Sequence, residues 1–422
     1  MYSEIKRCRI CGNENFMPII NLGEQKLTGV FPRSKNENIS SGPLELIKCN
    51  EGQADKSCGL VQLRHSYTME EMYGDNYGYR SGLNSSMVTH LEDVVAKNLQ
   101  FVDLSVGDLI IDIGSNDGTL LNKYLGKGYT LAGIDPTANK FRQYYNDDIQ
   151  IIPEFFTAST VTKHFGKKRA KIVTSIAMFY DLEDPLDFMR QIYDVLDSDG
   201  IWVFEQCYFP TMMLKNAYDT ICHEHLEYYT LKQVKWMLDR ADFKIIDVEF
   251  NDINGGSFKL VVSKKPSANK ECTAFIDQIL KKERGIQLHT QEPFIRFGEN
   301  VVKHRDELRM LLHHLKHEGK KVLGYGASTK GNVILQYCNI TPDYIPYIAE
   351  VNKDKYGAYT PGTLIPIVSE EQAKEMNPEY YLVFPWHFRD NILQREKDYL
   401  EKGGKLVMPL PKIEVISGDK PK

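Results

Sequence analysis

The stretch that most constrains this chain is "DLIIDIGSNDGTLLNKYL", residues 108–125. A short apolar strand runs into a glycine-rich turn and, by its spacing, straight on into a helix. The next strand, in "YTLAGIDP", ends on Asp135, and "AKIVTSIAMF" and "GIWVFEQ" supply two more strands of the buried type with helical segments between them. Alternation of this kind predicts an α/β fold: a doubly wound, mostly parallel, Rossmann-like sheet with its site at the carboxyl ends of the strands. Further on, "KKVLGYGASTKGNVILQYC" repeats the order of strand, turn and helix, followed by "YIPYIAEVNKDKYG", "YYLVFPWHF" and "GGKLVMPLP". A second, smaller Rossmann-like domain is therefore expected, without sequence repeat between the two. A chain of 422 residues exceeds one ordinary core. The expected division is 1–70, 71–266, a charged helical connector over 267–318, and 319–422.

The first part carries Cys8-x-x-Cys11 and then Cys49 and Cys58. A Cys-x-x-Cys knuckle followed by a second pair is the layout of a structural zinc ribbon, in which four thiolates close a tetrahedron and leave no position for water. The insertion "NEGQADKS" makes the second knuckle irregular, and the alternative is that Cys49 or Cys58 is a free thiol. The formal charge of -5, with acids and bases interspersed, gives no electrostatic hold on nucleic acid or an anionic membrane. No apolar run approaches the roughly 18 residues of a membrane span, and "MYSEIKRCRICG" lacks the apolar core of a signal peptide. The expectation is a cytoplasmic enzyme acting on a small molecule, with thiols kept reduced. The sequence leaves the oligomeric state open.

In Asp112-Ile-Gly114-Ser115-Asn116-Asp117-Gly118 the glycines let the backbone approach a ligand, and Asp135 at the end of the next strand is placed to bind ribose hydroxyls. A dinucleotide pyrophosphate would sit beside two carboxylates there. S-adenosylmethionine, a sulfonium carrying adenosine and an amino acid group, suits the loop better, with Phe156 of "PEFF" near the adenine. The helix that follows residues 70–84 is expected to be capped by Ser85 or Ser86. "CHEHLEYY", Cys222 to Tyr229, lacks the His-x-x-x-His spacing of a helical zinc site, which leaves proton chemistry or idle loop polars. It precedes the capping-box pattern Thr230 to Gln233. "GYGASTKGN" presents Ser328, Thr329 and Lys330 at a helix N-terminus, a sensible cradle for a nucleotide diphosphate or a bland turn. Glu350 and His387 stand at later strand ends.

The four-cysteine module, "YGYRSG" at Tyr77 to Gly82, "DIGSNDGTLL", "CHEHLEYYTL", "NGGSFKLVV" and "GYGASTKGN" together resemble, in order and over essentially the whole chain, the S-adenosylmethionine-dependent sugar C-methyltransferases. The resemblance implies a zinc-binding N-terminal module, a methyltransferase domain and a C-terminal domain facing a nucleotide-linked keto-deoxysugar. Making a carbon nucleophile beside a ketone requires a base and donors for the enolate oxygen. The resemblance makes His225 the base, with Glu224 orienting it or touching a sugar hydroxyl and His223 the weaker candidate. Tyr77, Tyr79, Arg80, Asn254, Lys330, Asn332, Glu350 and His387 are candidates for the substrate side. Relatives often have tyrosine in place of Cys222 and His-Gly-Gly-Ser in place of Asn254-Gly255-Gly256-Ser257; Cys222 and Tyr79 are counted with the catalytic candidates, and Tyr77 and Tyr79 either supply a phenol from the preceding loop or simply pack their rings. The competing readings are an isomerase or epimerase using the same base, an O-methyltransferase, and a zinc-ribbon nucleic-acid module.

Overall fold

The computed structural model describes residues 2–50, 57–68, 72 and 79–418. Its largest sheet has seven strands in the order Phe243–Asn251, Ser257–Lys264, Leu196–Cys207, Ala170–Ile176, Leu109–Ile113, Thr130–Ile134 and Ile149–Ile152. The last five are mutually parallel and the first two form an antiparallel hairpin on the edge. Leu109–Ile113, buried along its whole length, is the middle one of the five parallel strands, as its largely apolar run requires. The chain winds outward from it in one direction and then returns to its other side at Ala170–Ile176. Strand order reverses there, so a crevice opens where the strands end, at Gly114 and Ala177.

A second sheet of six strands follows the same plan. Val322–Tyr325 has Ile348–Glu350 and Ile367–Ser369 on one side, and Tyr380–Val383, Lys405–Met408 and Glu414–Ser417 on the other. All pairs are parallel except the last. Its reversal lies between Val322–Tyr325 and Tyr380–Val383, which end at Gly326 and Pro385. The two reversals face each other across one cavity.

The N-terminal part forms a four-stranded antiparallel sheet in the order Glu227–Tyr228, Val61–Leu63, Ser41–Cys49, Phe16–Lys26. Its edge strand, Glu227–Tyr228, belongs to the "CHEHLEYY" segment. One apolar core joins this sheet to the C-terminal domain, with Leu46, Leu63, Cys222, Leu226, Val333 and Leu382 among its members. The charged segment after residue 270 forms two helices, Thr273–Gly285 and Glu292–His317. In the longer one Phe294, Phe297, Val301, His304, Leu308, Leu312 and Leu315 turn inward at helical spacing, and the charges line its outer face.

Local expectations fail at two places. The residues after Gly118 form only a 3-10 turn, Leu121–Tyr124, because "LGKG" stops the chain after one turn and Gly126 and Gly128 take positive φ. The helix Ser85–Asn98 is capped by Asn84, whose side chain accepts from the Ser86 amide, and not by either serine. No helix among the described residues is long and apolar enough to cross a membrane.

Candidate active site

The cavity between the reversals measures about 970 Å³. On the methyltransferase side its wall is the turn after Leu109–Ile113. Gly114 sits at φ 70°, and a Cβ there would stand 3.1 Å from Met178 Cγ. The Asn116 amide donates to Asp135 Oδ2 at 2.8 Å, while Thr137 donates to Oδ1 through its amide and hydroxyl, both at 2.6 Å. These bonds fix Asp135 at the cavity wall. Asp112 is buried beside Thr174 Oγ1 at 2.5 Å, and burial pushes its carboxyl up to about 7. Ser115 Oγ lies 2.8 Å from Tyr145 Oη, and Phe156 packs edge-on against Phe188.

Two members of the motif serve the loop instead of the cavity. Asp117 accepts from the Gly82 amide at 2.9 Å and from Thr119 Oγ1 at 2.6 Å, and pairs with Arg80 at 3.6 Å. Gly118 leaves room for the Tyr145 ring, 2.7 Å from where its Cβ would be. Arg80 lines the cavity with its guanidinium stacked 4.0 Å from the Tyr144 ring centre. Tyr79 lines it too, largely exposed. Tyr77 lies outside the described residues.

The "CHEHLEYY" segment separates its residues by direction. His225 faces the cavity with Nδ1 2.9 Å from the Thr220 carbonyl and its ring 4.3 Å from that of Tyr180. A carbonyl only accepts, so Nδ1 carries the proton and Nε2 keeps its lone pair. Burial and the nearby Lys330 charge hold the ring down at about 3, neutral and able to accept a proton. Glu224 is buried at the cavity with Oε2 unpartnered, and burial raises its carboxyl. It makes no hydrogen bond to His225, whose orientation comes from Thr220. Gly29 leaves space for Glu224: a Cβ there would lie 2.3 Å from Oε1. Cys222 lines the same wall. His223 points the other way, fully buried, edge-on to Tyr67 at 4.7 Å and 3.4 Å from the Gly42 carbonyl. It is a core histidine, outside the acid-base site.

The far wall comes from the C-terminal domain. Glu350 accepts from the amides of Ala327, Val351 and Asn352, each at 2.8 Å. Like Asp135, it is a carboxylate fixed at the end of the strand beside a glycine turn. Ser328 caps its helix at the Gly331 amide, and Lys330 donates to the Asn254 carbonyl at 2.8 Å. Asn254 reaches it from a turn with φ 55°, 95° and 130° at Asn254, Gly255 and Gly256. His387 also lines the cavity, with burial holding its ring well below the usual range. Asn332 does not: it is buried and donates to the Thr28 carbonyl at 2.7 Å, joining the first and last modules.

The sulfurs of Cys8, Cys11, Cys49 and Cys58 all lie within 4.8 Å of one another. Asn13 Nδ2 donates to Cys49 Sγ at 3.3 Å and Gln62 Nε2 to Cys8 Sγ at 3.1 Å, contacts that stabilise thiolates bound to a metal. This donor set fits zinc with closed coordination. Gln62 also faces Glu227 in the sheet register, and Arg9, which bonds Gln62, stands 3.9 Å from the Glu227 carboxylate.

Three family models match in this order: "Putative zinc binding domain" over 8–73, "Methyltransferase domain" over 87–248 and "C-methyltransferase C-terminal domain" over 252–411. The C-methyltransferase NovU of Streptomyces niveus is 28% identical over 423 residues, covering 98% of each chain. The chain thus carries these three modules in order and is similar to that C-methyltransferase over its whole length. Among solved structures, the mitomycin 7-O-methyltransferase MmcR is 14% identical, with 43% of this chain and 55% of that one covered at a TM-score of 0.34. The CcbJ methyltransferase from Streptomyces caelestis is 11% identical, with 41% and 89% covered at 0.32.

The methyltransferase takes S-adenosylmethionine as its cofactor, and the wall around Asp112 and Asp135 fits it. The carboxylates suit a cationic ligand, and the cavity has room for it beside a second molecule. One further carboxylate of this wall escaped the sequence reading. Glu205, at the end of Leu196–Cys207, accepts from Asn251 Nδ2 at 2.7 Å and sits 2.7 Å from His90 Nε2. The signal was present, an acid at the end of a buried strand, but its partners lie far away in sequence.

Proposed function

We propose that this methyltransferase transfers the methyl group to the carbon beside the ketone of a nucleotide-linked keto-deoxysugar, with His225 taking the α-proton. The observation that carries the reading is the fixed tautomer of His225: Thr220 holds Nδ1–H, so Nε2 presents its lone pair to the cavity. The same cavity is bounded by the cofactor turn and by a second glycine turn with its own fixed acid, Glu350. A sugar bearing a nucleotide would span that distance, its ribose at Glu350 and its diphosphate at the helix start around residues 328–330.

When bound, S-adenosylmethionine supplies an electrophilic methyl group on a sulfonium. The chain's residues create the nucleophile. His225 Nε2 takes the α-proton and the C–H electron pair moves into the enolate, whose α-carbon is the nucleophile that would accept the sulfonium's methyl group, the neutral thioether being the leaving group. Glu224, with an unpartnered oxygen in the cavity, binds a sugar hydroxyl. Walls of Cys222 and Tyr180 exclude water around the base.

The test is incubation with S-adenosylmethionine and a panel of nucleotide-linked 4-keto-6-deoxy sugars in deuterated buffer, followed by mass spectrometry. A gain of one methyl group, with deuterium exchange at the α-carbon when the cofactor is omitted, is expected. Deuterium uptake that never leads to methylation would overturn the reading in favour of an isomerase. Methylation of a panel member that lacks the ketone would favour oxygen as the acceptor.

A further inference from the structure

We propose that Lys330 is a catalytic residue of the methyltransferase: its ammonium, anchored on the Asn254 carbonyl, donates to the ketone oxygen of the substrate and holds the enolate that His225 generates. This rests on the keto-sugar reading above and changes the role expected for Lys330, which the motif alone assigned to the sugar-nucleotide's phosphates or sugar.

Lys330 is the second residue of the helix Thr329–Tyr337 in the C-terminal domain, yet its side chain leaves that domain. It crosses to the hairpin turn of the seven-stranded sheet and bonds Asn254 O at 2.8 Å. That turn is shaped for the contact. Three successive positive φ angles expose the carbonyl, and a Cβ on Gly256 would meet Thr211 Cγ2 at 2.3 Å. An ammonium has three donors, so one anchor leaves two for a ligand. Its charge reaches the groups around the base: it lowers His225 and His387 and offsets the burial of Cys222 and Asp219.

The other cations on the cavity wall stand elsewhere. Arg80 lies between Asp117 and the Tyr144 ring and Arg395 bonds Tyr325 and Glu370, while Lys355, anchored on one carbonyl as Lys330 is, sits over Phe31 on the Glu350 side, at the Ala327 carbonyl. His225 and His387 are neutral, and Cys222 is a weak donor. Lys330 is thus the positive donor at the base's end of the cavity.

The chemistry needs such a donor. A weakly basic imidazole removes an α-proton only if the ketone is made more acidic, and a cation at the carbonyl oxygen does that. The charge that weakens the base strengthens the acid. After transfer the enolate oxygen lies beside the ammonium, with the imidazolium on its other side, so the two cations share one anion.

The experiment compares wild type with K330M and K330Q. It measures α-proton exchange and methyl transfer at saturating TDP-4-keto-6-deoxyglucose, calorimetric binding of TDP and UDP, and the His225 titration by NMR. In both variants exchange and kcat should fall together by roughly 10²–10³-fold, with TDP and UDP affinity unchanged and the His225 titration moved upward toward its ordinary value. A phosphate-binding role would appear as nucleotide affinity weakened about tenfold or more with kcat restored at saturation, and overturns the proposal. An unmoved His225 titration in a folded variant also overturns it, because the ammonium would then not reach the base. If wild type handles no keto sugar while the His225 titration still moves, the substrate reading fails and the ammonium's position stands.

Discussion

Replacing His225 with Asn tests the protonation state on which the chemistry depends. The Asn side-chain amide occupies the place of Nδ1–H and still reaches the Thr220 carbonyl, so the fold keeps its bond while the titratable nitrogen is lost. In the unfolded chain histidine takes a proton near 6.5, whereas burial and Lys330 hold His225 at about 3 in the folded chain. The folded value is depressed, so the unfolded state binds the extra proton. The associated stability is full above about 6.5, is lost progressively as pH falls, and is gone below about 3. At about 1.4 kcal/mol per pH unit, the interval from 6.5 to 5 costs about 2 kcal/mol from this one residue. Urea unfolding of wild type and H225N at pH 7 and pH 5 isolates that term, because His223 and the carboxyls raised by burial are common to both. Wild type should lose about 2 kcal/mol more than the variant over the interval. Equal losses would mean that His225 is protonated in the native protein at pH 5, and the assignment of Nε2 as proton acceptor would be wrong.

Gly29→Ala puts a Cβ where Glu224 Oε1 now lies, 2.3 Å away; methyl transfer should fall with raised KM for the sugar while S-adenosylmethionine binding, measured by calorimetry, holds. Unchanged KM would deny Glu224 contact with the substrate. Asp135→Asn removes the charge at the cofactor wall and should weaken S-adenosylmethionine about tenfold or more, read by the same calorimetry, with sugar-nucleotide binding intact. Stripping the four-cysteine site with a chelator should speed amide hydrogen exchange across residues 226–229, because Leu226 O accepts from the Leu63 amide and Glu227–Tyr228 is an edge strand of the metal-bearing sheet. Exchange confined to residues 8–60 would show that the metal does not support the base's segment.

Much of this was legible in the sequence where the determinants are local. The turn at Gly114 and the acid at Asp135 are separated by one strand, and the backbone between them has little choice. The same is true of Gly326 and Glu350. What the sequence could not give is direction. His223 and His225 are two residues apart in the same motif, yet one packs on Tyr67 and the other faces the cavity, because Leu226 and Glu227 pair with the N-terminal sheet and fix the segment's orientation. Asn332 has the look of a helix-start ligand until Thr28, distant in the chain, takes its amide. His90, Glu205 and Asn251 meet only after the sheet is assembled. Contacts of this kind depend on packing between modules, which no spacing records.

The most direct measurement is the attachment point of the methyl group. Turnover with S-adenosylmethionine carrying a 13C methyl, followed by carbon NMR of the purified product, should show the label coupled to a ring carbon adjacent to the former ketone. A label on oxygen, as a methoxy signal, would contradict proton abstraction by His225 as the step that prepares the nucleophile.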